Sequence, residues 1–484
     1  MKATACFLGG IRRFFVVVGA DTLWQSHRDV KLLIVLRMVR LLGHGGTTLI
    51  LAIYLHGLGF RDSDVGLFMT LTLIGDLIIS SVLVYVGDAV GVRLTAIAGS
   101  ILMCVAGVAF AYVSNFWLLL LAAILGDHSA NEIDPFKPIE ESAISRLSTA
   151  ETCSDLFAWW SMLGMLGTAV SNLLTGLLIG HLQSSGFCVL DSHRIVFISY
   201  AGIGFARLLG LLVLSSNVEL DRYEGSIIGS TESGIDSDDD RCRKSAVPPA
   251  TSEQAHVGDL ETAEHLRNMP RQCGSESPGQ ASLRDTPGIE PPSQTCRLHF
   301  FVLRFHGALV PCSFFDFVGS GLAQVSWMTY FFQREYHMPE ASLGTATFVA
   351  GLVSSVLNLA SSPLARAVGQ VQTMVACHTV NSASLLLVSV PGDGRVALAL
   401  FIFRILTREM DNAPRQAFIS RGVGVGERTA AMAVVNVVKT VGSCVGLYAT
   451  GWFAALDSFW LAFIVAGVLK LVYNVLISAF FWGS

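Results

Sequence analysis

Arg37, Arg40 and His44 fall at helical spacing inside one long apolar run, and Asp127, Asn131 and Asp134 do so inside another. Asp316, Ser320 and Gln324 repeat the pattern, and Arg404, Arg408, Asp411 and Arg415 form a longer stripe of the same kind. Residues three, four and seven apart share one face of a helix. A charged group buried in an apolar helix costs roughly 2.5–3.5 kcal/mol on insertion scales, so such stripes pair with one another or line a cavity. Guanidinium groups can grip a carboxylate or phosphate in bidentate fashion. Asp76 stands in LTLIGDLIISS with no basic residue within a turn, which makes it the candidate for a carboxyl that takes up and releases a proton.

Each stripe also has a structural reading. Arg37 and Arg40 could anchor a membrane surface, Lys137 and Glu141 could form a local pair, and Arg207 and Lys470 are expected to snorkel or to pair within the fold. The stripe at Asp127 is acidic and that at Arg404 basic. They could close a gate between two halves of the molecule, or each could be neutralised within its own half.

The elements that must carry these residues follow from composition. The chain has 484 residues, 52% hydrophobic and 14% charged, and a mean hydropathy of +0.57. Soluble domains carry about 25% charged residues. Most of this surface therefore faces hydrocarbon. A membrane-spanning helix needs about 20 mainly apolar residues. Runs of that kind lie near 33–56, 65–86, 94–114, 117–144, 155–181 and 194–216, and again near 300–332, 342–364, 371–389, 396–420, 428–453 and 458–481. The reading is an all-α membrane protein of twelve spans: a tail at 1–32, a six-helix bundle at 33–216, a disordered linker at 217–297 and a second bundle at 298–484. The linker is rich in Ser, Pro and acidic residues, including Ser237 to Arg241, and holds too little apolar surface to fold. The third run has no charge and the ninth only His378.

Short loops on one side carry Arg12, Arg13, Arg28, Lys31, Arg93, Arg146, Arg366, Arg421 and Arg428, against Arg61, Arg194, Arg334 and Arg395 on the other. That bias puts both termini and the linker in the cytoplasm. The ten cysteines show neither a CxxC nor a Cys/His ligand spacing, so no metal or cofactor is expected.

The two halves are copies. ESAISR at 141–146 and TG at 175–176 align without a gap with QAFISR at 416–421 and TG at 450–451. Gly43 and Gly45 meet Gly319 and Gly321, and the AVG at 89–91 meets that at 367–369. Glycines at 164, 167 and 176, with Ser171, and at 442, 446 and 451 give two helices that neighbours can approach closely.

Same-direction six-helix repeats joined by a long loop resemble the major facilitator superfamily. The family's loop between its second and third helices, GxxxDRxGRR, is matched by VYVGDAVGVR, which keeps Asp88, Gly91 and Arg93 but has Val84 and Ala89 in place of the Gly and Arg. The fifth helix, WWSMLGMLGTAVSNLLTG, lacks the Gly-Pro pair of the family's drug antiporters.

The resemblance implies that the first, fourth, seventh and tenth helices line a central cavity, and those helices carry the polar stripes. It implies a secondary transporter, possible proton linkage, a small-molecule substrate and a monomer in the plasma membrane. A passive facilitator or a non-transporting sensor with the same fold is the alternative. No GxxxxGK[ST], HExxH or GxSxG run suggests ATP hydrolysis or another enzyme activity, and no basic block suggests nucleic acid.

Overall fold

The computed structural model describes residues 20–126, 137–149, 152–215, 218, 310–390, 392–408, 410, 415 and 428–481. The described helices are α1 (Ala20–Gln25), α2 (Arg28–Gly57), α3 (Asp62–Val90), α4 (Val92–Tyr112), α5 (Phe116–Leu125), α6 (Lys137–Arg146), α7 (Cys153–Ser184) and α8 (Val189–Leu212). The second half continues with α9 (Val310–Leu322), α10 (Val325–Tyr336), α11 (Glu340–Val368), α12 (Gln370–Val388), α13 (Gly394–Arg408), α14 (Arg428–Ala455) and α15 (Phe459–Phe481). The spans are α2, α3, α4, α5 with α6, α7 and α8 in one half, and α9 with α10, then α11 to α15, in the other. The chain divides into Met1–Leu220 with Arg297–Ser484 as one unit and Asp221–Cys296 as a second. The linker expected at 217–297 lies, apart from Val218, outside the described residues.

The first span starts at Arg28, ahead of the apolar run. The His27 ring accepts the Asp29 N–H and caps the helix, and buried Asp29 accepts both the N–H and the hydroxyl of Ser215, just past the end of α8. Hydropathy alone reads that polar first turn as tail.

Lipid-facing surfaces are apolar by helical spacing: Leu94, Ile101, Val105, Val108 and Tyr112 stand exposed along α4. The links α3–α4 and α11–α12 are single glycines, Gly91 and Gly369, at φ 96 and 118. Both belong to the repeated AVG, and both hold a left-handed backbone that a side chain would strain.

The seventh span is broken. The run at 300–332 reads as one helix, yet α9 ends at Leu322 and α10 starts at Val325. Side chains take up the freed carbonyls: Arg404 donates to Ala323 O at 2.6 Å and Thr450 to Leu322 O at 3.0 Å.

The halves join at one end. A single buried cluster there contains Leu55, Phe68 and Phe110 of the first half with Trp327, Phe332 and Phe459 of the second. At the opposite end each half has its own cluster, around Ile34, Val92 and Trp160 in one and Met374, Tyr473 and Ile477 in the other.

The closures at the joined end repeat the internal symmetry. A Cβ on Gly176 of α7 would meet Gly344 Cα of α11 at 3.2 Å, and one on Gly66 of α3 would meet Gly451 Cα of α14 at 3.0 Å. Gly176 and Gly451 are aligned positions of the repeat.

Candidate functional site

Two buried charge clusters occupy related positions in the two halves. In the first, Glu140, in the opening turn of α6, is 4% exposed. Arg207 of α8 donates to it at 2.9 Å, and Arg40 and Arg37 of α2 stand at 3.7 and 3.9 Å. The Arg37 guanidinium also lies 3.5 Å from the centre of the Trp160 ring.

In the second, Asp316 of α9 is 2% exposed. Lys470 of α15 donates to it at 2.6 Å and to Ser320 Oγ at 2.8 Å. Arg415 donates to the other carboxylate oxygen at 3.1 Å and bonds the His378 ring at 2.7 Å. The alignment that pairs Gly43 with Gly319 also pairs Arg40 with Asp316. That which pairs Glu141 with Gln416 pairs Glu140 with Arg415. The first and fourth spans thus carry cation and anion, the seventh and tenth anion and cation. The sixth and twelfth add a further cation to each.

A cavity of about 250 Å3 opens between the halves, walled by α2 and α7 on one side and by the second half on the other. Of the residues singled out in the sequence, His44, Asp316, Gln324, Arg404, Arg408 and Arg415 line it. Arg40 does not, being turned to Glu140. Asp76 is wholly buried on α3 and is not among the lining residues. Arg93 donates to Leu212 O at 3.0 Å, closing the loop after Gly91 against the end of α8. Asp127, Asn131, Asp134, Asp411 and the Asp88 side chain lie outside the described residues.

Sequence reasoning missed Glu140, although it stands one position before the repeated ESAISR, where the other copy has Arg415. It also missed Asn172, Ser354 and Asn381, which join the cavity wall. Single uncharged residues carry no signal in an apolar helix.

A third set of polar contacts holds the joined end together. Arg334 donates to Asp62 at 2.8 Å and to Asp457 at 2.6 Å, and Tyr330 donates to Asp62 at 2.8 Å. His193 stands 3.4 Å from Glu340. Asp62 and His193 belong to the first half; Tyr330, Arg334, Glu340 and Asp457 belong to the second. Nothing local in the sequence marks Asp62 and Arg334 as partners, since 272 positions separate them.

The sequence pattern of the Major Facilitator Superfamily matches residues 309–484. The chain is 29% identical over 464 residues, 95% of each chain, to an uncharacterized membrane protein, YJR124C, of Saccharomyces cerevisiae. It is 29% identical over 179 residues to the quinolone resistance protein NorA of Staphylococcus aureus, 37% of this chain and 41% of that one. Among solved structures, a D-xylose-proton symporter superposes with a TM-score of 0.66 at 12% identity, covering 94% of this chain and 98% of its own. A bacterial homologue of the human lysosomal transporter Spinster, in an inward-facing and unoccupied conformation, gives 0.63 at 12% identity, covering 93% and 96%. At that identity the likeness is one of fold. Helix order, internal repeat and sequence pattern agree: this chain is a multi-pass membrane protein with the fold of the Major Facilitator Superfamily, whose sequence pattern its second half matches.

Proposed function

We propose that the protein is a secondary transporter that moves a small organic solute by alternating access, with the cavity beside Asp316 as its binding site. One observation carries the reading: the halves share a single core at one end, keep separate cores at the other, and enclose a polar cavity between them. Two bodies hinged in that way can expose a central site to one side and then to the other.

Both termini are cytoplasmic in this reading, and the joined end faces outward. Arg28, Arg93 and Arg146 stand toward the separated end, and Arg61, Arg194 and Arg334 toward the joined one, as the positive-inside rule requires. The arrangement is then inward-facing, like that of the Spinster homologue. The ion pairs of Arg334 and the contacts of Gly66 and Gly176 form the outer gate.

Uptake and efflux of labelled solutes, in a host stripped of its own carriers and with or without a proton gradient, test the proposal. Chain-dependent movement of a solute is expected; chain-dependent movement of none, in either direction, ends it. Asp76 is the candidate for proton coupling. Asp76→Asn should abolish gradient-driven accumulation and leave exchange across the membrane intact. Normal accumulation by that variant removes Asp76 from the role.

A further inference from the structure

We propose that the central cavity takes a compact neutral polyol, a sugar or sugar alcohol, held through its hydroxyl groups by both halves of the molecule. The inference rests on the transport reading above and adds the class of solute.

It starts from uncharged side chains. His44 of α2 and Asn172 of α7 line the cavity from the first half, and Ser354 of α11 and Asn381 of α12 line it from the second. They are 6%, 8%, 1% and 2% exposed. The Nδ1 of His44, the Oδ1 atoms of Asn172 and Asn381, and the Ser354 hydroxyl have no hydrogen-bond partner among the described residues. A buried polar atom without a partner is costly. Four of them around one cavity point to a ligand that supplies the partners.

The atoms also say which kind of partner is wanted. An amide oxygen only accepts. The Thr48 hydroxyl gives its one proton to the carbonyl of His44 at 2.9 Å, so at its 3.3 Å contact with the ring it accepts from Nε2–H. In that neutral tautomer Nδ1 is left as an acceptor as well. Three of the four groups therefore call for a donor, and the serine hydroxyl can give or accept.

That demand selects among solutes. A plain carboxylate or phosphate ion offers acceptors only and would leave all three unmet. An ammonium ion donates, but among the described lining residues the one carboxylate is Asp316, already held by Lys470 at 2.6 Å and Arg415 at 3.1 Å. A buried cation without a counter-charge is costly. Hydroxyl groups donate without bringing a charge. The cavity's 250 Å3 lies below the roughly 300–1,000 Å3 typical of sites for drug-sized ligands, so the solute is compact. A polyol bonded to His44 and Asn172 on one side and to Ser354 and Asn381 on the other is shared by the two halves. Those bonds favour the arrangement in which both walls reach it, which couples binding to the rocking of the halves.

The test uses the full chain in proteoliposomes, with five probes: xylitol, glucose, myo-inositol, succinate and choline. Saturable, chain-dependent movement of at least one of the three polyols, and of neither succinate nor choline, is the expected result. Asn381→Leu and Asn172→Leu each leave a solute hydroxyl without its acceptor and should raise the half-saturating concentration about 5- to 100-fold. Thermal unfolding without solute should be unchanged or shifted upward in both variants, because the oxygen removed has no partner in the empty cavity. A merely structural role for these side chains predicts the reverse, lower stability with the half-saturating concentration unchanged, and overturns the inference. Movement of succinate or choline, in place of the polyols or beside them, overturns it and leaves the transport reading standing. So does polyol movement that neither variant alters. Movement of no probe counts against the transport reading and takes the inference down with it.

Discussion

The clusters at Glu140 and Asp316 are the same construction with the charges exchanged. Each holds one carboxylate among three basic or potentially basic groups; the carboxylate and two of the cations lie on corresponding spans, whereas Arg37 of the first span and His378 of the ninth have no counterpart. They differ in what surrounds them. Neither Glu140 nor Arg207 is among the residues that line the cavity, whereas Asp316, His378, Arg415 and Lys470 all are. A duplicated chain thus carries one ion cluster sealed within a bundle and one that opens on the site. In the proposed reading the first serves stability and the second serves function. Position in the repeat cannot separate them, because their positions are equivalent. Their access to the cavity does.

The largest expected effect is on the sealed side. Glu140→Gln removes the anion from the buried guanidinium groups of Arg40 and Arg207 and from the partly buried one of Arg37, and breaking a buried pair in this way costs about 3–5 kcal/mol. The yield of monodisperse protein should fall steeply, and Arg207→Gln added to Glu140→Gln should recover part of it. Normal yield from the single variant would break the contrast.

Asp316→Asn should cost less stability, about 1–3 kcal/mol by the loss of charged hydrogen bonds, because Lys470 and Arg415 retain contact with a polar cavity. Thermal unfolding of the two variants side by side reads the difference. An equal or greater loss at Asp316 would put both clusters in the structural class.

Between the halves, Gly451→Val tests the outer gate. A Cβ at Gly451 would stand 2.6 Å from Asp62 O and 2.8 Å from Gly66 Cα, and both are backbone atoms that cannot yield cheaply. Overpacking of this kind costs about 1–3 kcal/mol and should push the population toward the state in which the joined end is open. Spin-label distances between α3 and α14 should lengthen; unchanged distances would contradict a gate at this contact. The repeat requires Gly176→Val to do the same between α7 and α11.

Arg334→Gln should have the smallest effect. Arg334 is partly exposed, so loss of its pairs with Asp62 and Asp457 is expected to cost about 1 kcal/mol. That is a fivefold shift in the same population, measured by the same distances.

Much of the fold was legible. Long apolar runs, the gapless repeat and the paired AVG links come from chemistry that acts locally: hydrocarbon demands apolar helices, and a one-residue link at positive φ demands glycine. The helix break at Ala323–Gln324 was not legible, because neither Pro nor Gly stands at those positions. It is held open by Arg404 and Thr450, 81 and 128 positions away. Half of the site was legible for a similar reason. A charge in an apolar run announces itself, so His44, Asp316, Arg404, Arg408 and Arg415 stood out. Which charge meets which is decided by packing, so Arg40 fell to Glu140, and Lys470, read as snorkelling or pairing, joined Asp316. The outer contacts of Asp62 with Arg334 had no local signature at all.

The contrast between the two clusters is tested most directly by turnover per folded molecule, using whichever solute the parent chain moves, in proteoliposomes loaded with equal amounts of monodisperse parent, Glu140→Gln and Asp316→Asn. The molecules of Glu140→Gln that survive purification should transport at close to the parent rate, and Asp316→Asn should fall at least tenfold while remaining folded. An equal loss of turnover in both variants, or parent-level turnover in Asp316→Asn, would contradict the division of the two clusters into a structural and a working one.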